Sequence, residues 1–123
     1  MAKEYLDKLT AFVEIAAARC PQNTSLECKH FFSGAALYVD KRISTTLTRG
    51  GLAIKLPQQT RERLFQDKLA KPLRYFSNGP VKKEYALFSA AVEVSKDRLI
   101  GYAIEGINYV LSLPESKTRL KHS

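Results

Sequence analysis

The chain has little of what small catalytic and secreted domains depend on. Its two cysteines, Cys20 and Cys28, are too few for a disulfide framework, and two free thiols is the plain reading. With only two histidines, His30 and His122, and no Cys-x-x-Cys pair, the nearest approach to a zinc site is Cys20, Cys28 and His30, which has no recognisable ligand spacing. Cys28 and His30 share one side of an extended segment, but no third group orients them for nucleophilic catalysis. Neither GxGxxG nor GxxxxGK[ST] is present, so no loop cradles a phosphate. No apolar run approaches the roughly 20 residues of a membrane helix. The amino terminus, MAKEYLDKLTAFVEIAAARC, threads charges through its apolar positions, unlike a signal-peptide core. These absences predict a soluble, cytoplasmic, non-enzymatic protein without metal or cofactor.

What the chain does have is hydrophobic content and positive charge. At 123 residues and 45% hydrophobic it is one domain by size, able to bury a core without disulfides or metal. The net charge of +8 is concentrated in the middle. From Lys41 to Lys83, eleven basic residues face Glu62 and Asp67 alone, a local balance of +9. Such a field attracts polyanions or an acidic protein surface, but it does not specify a fold.

The organising stretch is FFSGAALYVDKRISTTLTRGGLAIKLP, residues Phe31 to Pro57, which carries three period-two patterns joined by short turns. Leu37, Val39, Ile43, Leu47, Leu52, Ile54 and Leu56, with Thr45, fall on alternate positions and predict one apolar face. A three-residue loop over Asp40 to Arg42 would set Val39 against Ile43 and Leu37 against Thr45; a two-residue loop would set Val39 against Arg42, so the longer loop is preferred. Arg49 and Gly50 form a two-residue turn, Gly50 tolerating positive φ, which sets Leu47 opposite Leu52 and Thr45 opposite Ile54.

Helical spacing flanks this meander. Tyr5, Leu6, Leu9, Phe12, Val13, Ala16 and Ala17 predict an amphipathic helix over Lys3 to Ala18, stopping near Arg19 ahead of Pro21. The segment from Ser25 to Phe32 leads into the meander. QQTRERLFQDKL predicts a short second helix behind Pro57, with Leu64, Phe65 and Leu69 inward, Arg61 and Arg63 outward, and Pro72 as its end. LRYF (Leu73 to Phe76) predicts a fourth strand, and Glu84 to Val94 a fifth, in which Ala86, Phe88, Ala90, Val92 and Val94 alternate with the rest. Ser95 caps a last helix to about Leu113, with Asp97 in its first turn. Its face of Leu99, Ile100, Ala103, Ile104, Ile107, Val110 and Leu111 is wide enough for a central packing helix or a subunit interface. The expected architecture is α+β, an antiparallel sheet of about five strands in the order α-β-β-β-α-β-β-α, as one domain over 1–114 with a basic flexible tail over 115–123.

The run HFFSGAALYVDKRIS, and within it Phe32, Gly34, Leu37, Tyr38 and Val39, resembles the amino-terminal domain of the TfoX/Sxy family of competence regulators. Similarity continues through LAIKLPQQTRERLF, KPLRYF, the strand around Tyr85 and Val94, and the closing helix, nearly the whole chain. Phe31 and Ser33 stand where the family has Met and Gly, and the second domain of full-length members is not in this sequence. The resemblance implies a small α+β domain without cofactor or catalytic residues, linked to transcriptional regulation through protein partners including the cyclic-AMP receptor protein.

Two functional expectations follow. The first is a non-enzymatic regulatory module, a homodimer that associates through the wide face of its last helix or an open sheet edge. The second is nucleic-acid binding through Arg42, Arg49, Lys55, Arg61, Arg63, Arg74, Lys82 and Lys83. There Tyr75, Phe76, Tyr85 and Phe88 are either stacking platforms or, as preferred, core residues.

Overall fold

Alternating apolar positions along the middle of the chain build one antiparallel sheet, and the helical stripes at either end of the chain close over it. The computed structural model describes residues 2–19, 25–31, 34–73, 82–89 and 94–113, and of residues 2, 3, 82 and 83 the backbone alone. Among them the order is α1 (Ala2–Ala18), β1 (Leu26–Phe31), β2 (Gly34–Val39), β3 (Arg42–Thr48), β4 (Gly51–Lys55), α2 (Gln58–Gln66), β5 (Lys71–Leu73), β6 (Lys82–Phe88) and α3 (Lys96–Ser112). The strands lie side by side as β1-β2-β3-β4-β6-β5.

The α+β class and the meander are as the pattern predicts, with one more strand. Leu26–Phe31, expected as a lead-in, pairs along its whole length with β2, from Leu26 opposite Val39 to Phe31 opposite Gly34. Its side chains alternate between half-buried and exposed only as far as Lys29, and a lysine, a glutamate and a histidine in six residues hide the period. The fourth predicted strand is described as Lys71–Leu73, so Pro72 sits within a strand instead of ending a helix; Arg74 to Phe76 lie outside the described residues. The fifth is described as Lys82–Phe88; Ala90 and Val92 lie outside the described residues.

The β2–β3 corner corrects the expected loop. Asp40 and Lys41 have φ of 50° and 71°, so they make a two-residue turn with both central residues left-handed, and Val39 pairs with Arg42. A bulge then restores the remaining register. Pairing steps from Tyr38 opposite Ile43 to Leu37 opposite Thr45, leaving Ser44 as the extra residue on β3. Ile43 is thereby turned to the other face of the sheet, against the cluster of Ala53, Leu73, Tyr85 and Leu87. The helix face keeps Leu37, Val39, Thr45, Ile54 and Leu56, all fully or almost fully buried. At the second corner Leu47 faces Leu52 and Thr45 faces Ile54, as expected. There the residue with positive φ is Gly51 (130°), not Gly50.

α1 and α3 cover that face side by side. Leu9, Val13, Ile107 and Val110 bury Ala35, Leu37 and Val39, while Ala16, Ile100 and Ala103 join Ile54, Leu56, Ala86 and Phe88. α3 approaches β4 closely because Gly106 presents no side chain: a Cβ there would meet the Lys55 carbonyl oxygen at 2.8 Å. Ser95 caps α3 as predicted, its Oγ accepting from the Arg98 N–H at 3.2 Å. α2 contributes Leu64 to the same core and ends at Gln66, three residues short of the Leu69 to which the sequence pattern extends it. Lys68, at φ 60°, breaks it: the Lys68 N–H donates to Phe65 and the Leu69 N–H to Leu64, the Schellman pattern with lysine in the position that favours glycine.

Candidate functional site

Among the described residues, the basic side chains of the middle segment do not gather into one site. Arg42 opens β3, and its guanidinium donates to the Leu113 carbonyl at 3.1 Å, where the end of α3 favours a cation. Lys55 closes β4 at the same end of the sheet, 3.6 Å from the Glu84 carboxylate and with its Nζ 5.6 Å from the Tyr85 ring centre. Arg61, expected on the outer surface of α2, is half-buried, and its Nε donates to the Leu56 carbonyl at 2.9 Å. These three side chains brace the fold. Arg63 on α2 and Arg49 in the β3–β4 turn are exposed. Arg49 stands at the far end of that hairpin from Arg42 and Lys55, on the order of 20 Å away at about 3.3 Å per strand residue. Lys82 and Lys83 are placed in β6 by their backbone, and Arg74 lies outside the described residues.

The aromatic residues of that region are committed inward where they are described. Tyr85 is buried under Lys55, and Phe88 is buried against Tyr102 with ring centroids 5.5 Å apart. Neither offers a face on which a base could stack. Tyr75 and Phe76 lie outside the described residues.

Cys28 sits half-buried on β1, opposite Leu37 and against the helix layer. Burial pushes its thiol above the ordinary value; the neighbouring Thr10 hydroxyl pulls against that rise, and the Glu14 carboxylate adds to it. A protonated thiol in an apolar setting is a poor nucleophile and a poor metal ligand. His30, two residues on, is exposed, and Cys20 lies outside the described residues. No group of three or more His, Cys, Asp or Glu side chains stands together among the described residues.

The signature residues act through packing. A Cβ on Gly34 would lie 2.2 Å from the Leu47 carbonyl oxygen, so only glycine lets β2 begin this close to β3. Leu37 is buried under the helices, and Tyr38 faces the other side, its ring 5.4 Å from the Lys29 Nζ. Phe32 lies outside the described residues. An open apolar recess of about 430 Å³ lies between the middle of α1 and the start of α3, lined by Leu9, Phe12, Leu47, Leu52 and Leu99 together with Lys8 and Lys96. Its described lining holds no carboxylate, imidazole or thiol. Among the described residues no helix is long and apolar enough to cross a membrane.

Sequence reasoning missed Gly106, whose role depends on which helix face meets β4, and the pair Glu27 and Lys29, 3.7 Å apart along β1. The short alternation of Leu26 and Cys28 with Glu27 and Lys29 was a signal for a strand, but it breaks at His30 and is too brief to stand out from a charged lead-in.

A six-stranded antiparallel sheet with two terminal helices on one face defines the class: a small α+β domain whose distinguishing residues set strand and helix contacts. The TfoX N-terminal domain model matches residues 20–108, well over half of the sequence, and the chain belongs to that family. No curated protein matches the chain.

Proposed function

We propose that this domain is a non-enzymatic, cytoplasmic regulatory module that acts through protein partners and as a homodimer. Its family membership, together with signature residues given over to packing, supports the reading: Gly34 and Leu37 fix backbone and core, so function falls to the surface they hold in shape. By family analogy the partner is a transcription factor such as the cyclic-AMP receptor protein. Titrating the purified receptor protein with the purified domain at moderate salt, with and without nuclease, is the test. A nuclease-insensitive complex is expected. Its absence overturns the receptor assignment.

Nucleic-acid binding is the second reading, favoured by the exposure of Arg49 and Arg63 within the +9 segment. It expects affinity for duplex or single strands to fall steeply with salt, and to weaken when both arginines become alanine.

A further inference from the structure

The two edges of the sheet differ. β5 has three residues and carries Pro72, which leaves little to pair with. β1 has six residues, LECKHF, without proline. Its hydrogen-bond phase follows from its first pair: the Asp40 N–H donates to the Ser25 carbonyl at 3.0 Å, and Leu26 is opposite Val39. In an antiparallel ladder this directs the backbone groups of Glu27 and Lys29 toward β2, and those of Leu26, Cys28 and His30 away from it.

We propose that β1 pairs antiparallel with β1 of a second copy of this chain, with Cys28 on the two-fold axis, joining the two sheets into one. The proposal rests on the reading of the domain as a homodimeric module and gives that association its surface. α3 has less to offer, because Ile100, Ala103, Ile107 and Val110, the centre of its apolar face, are already buried against the sheet and α1. With the axis at Cys28, the outward N–H and C=O groups of Leu26 meet those of His30 in the second copy, and Cys28 meets Cys28. Every outward backbone group of those three residues is then paired. On the face away from the helices, Glu27 of each copy stands opposite Lys29 of the other. Both side chains are more than half exposed in the single chain. Moving the axis one residue either way sets Glu27 against Glu27 or Lys29 against Lys29, which cross-strand pairing disfavours. On the helix face the same register covers the half-exposed Leu26 and Cys28.

Sedimentation velocity of the full chain at micromolar concentration tests the axis through charge reversal. The unaltered chain is expected to be a dimer. Glu27→Lys and Lys29→Glu each turn two attractive cross-strand pairs into two repulsive ones, raising the dimer dissociation constant on the order of ten-fold. The double variant Glu27→Lys with Lys29→Glu restores attraction and returns it to within a few-fold of the original. Circular dichroism on the same samples confirms that these exposed substitutions leave the fold intact. A monomeric unaltered chain, single reversals without effect, or a double variant that fails to recover overturns the proposal. Binding of the receptor protein by a monomer would leave the partner reading standing while this one falls.

Discussion

A Cβ on Gly106 would lie 2.7 Å from the Cγ2 of Ile54. That contact seats α3 on β4, and the Lys55 carbonyl oxygen, 2.8 Å from the same point, is main chain and cannot turn aside. Gly101, on the same helix, is exposed, and a side chain there would meet nothing within 4 Å.

The two glycines therefore predict opposite signs. Gly101→Ala gains helix propensity and is expected to stabilise by about 0.5–1 kcal/mol. Gly106→Ala gains the same propensity but overpacks the interface at about 1–3 kcal/mol or more, so a net loss is expected. Urea denaturation of both variants checks the contrast.

Two lysines hold left-handed backbone, Lys41 in the β2–β3 turn and Lys68 at the end of α2. Replacing either with glycine removes steric strain at the cost of a more flexible unfolded chain. Lys41→Gly and Lys68→Gly are each expected to raise stability by about 0.5–1 kcal/mol, read as a higher denaturation midpoint.

Arg61 and Arg63 lie two residues apart on α2 yet should behave differently. Losing the Arg61 bond to the Leu56 carbonyl is expected to cost about 1 kcal/mol, whereas Arg63→Ala stays within about 0.5 kcal/mol. Paired with Arg49→Ala, Arg63→Ala thus reports on nucleic-acid affinity without a stability change. Thermal melts alongside the binding assay separate the two effects.

The raised thiol of Cys28 sets a pH dependence. Because the folded chain holds this proton at a pH where the unfolded chain has released it, the contribution to stability is present below the unfolded thiol value, about 8.5, and is lost as pH rises through the folded value. In a Cys20→Ser background, stability should fall as pH climbs past that range, and Cys28→Ala should flatten the decline. Alkylation of Cys28 at neutral pH should also be slower in the folded chain than in urea.

The sequence by itself determined which segments form helices and most strands, because the periods of Leu9 to Ala16 and of Leu52 to Leu56 survive in isolation. It likewise settled the Ser95 cap and the register at Arg49 and Gly50, where the turn and the apolar pattern agree. β1 was hidden, since an edge strand covered by one helix keeps charges in its pattern. Only the tertiary structure decided the bulge at Ser44 and the face taken by Ile43, because a left-handed turn at Asp40 and Lys41 and one extra residue on β3 offset each other across the sheet. It also decided which arginines are free to bind: whether a guanidinium meets solvent or a main-chain carbonyl depends on where distant segments end, as Arg42 does on Leu113, and no local pattern records that distance.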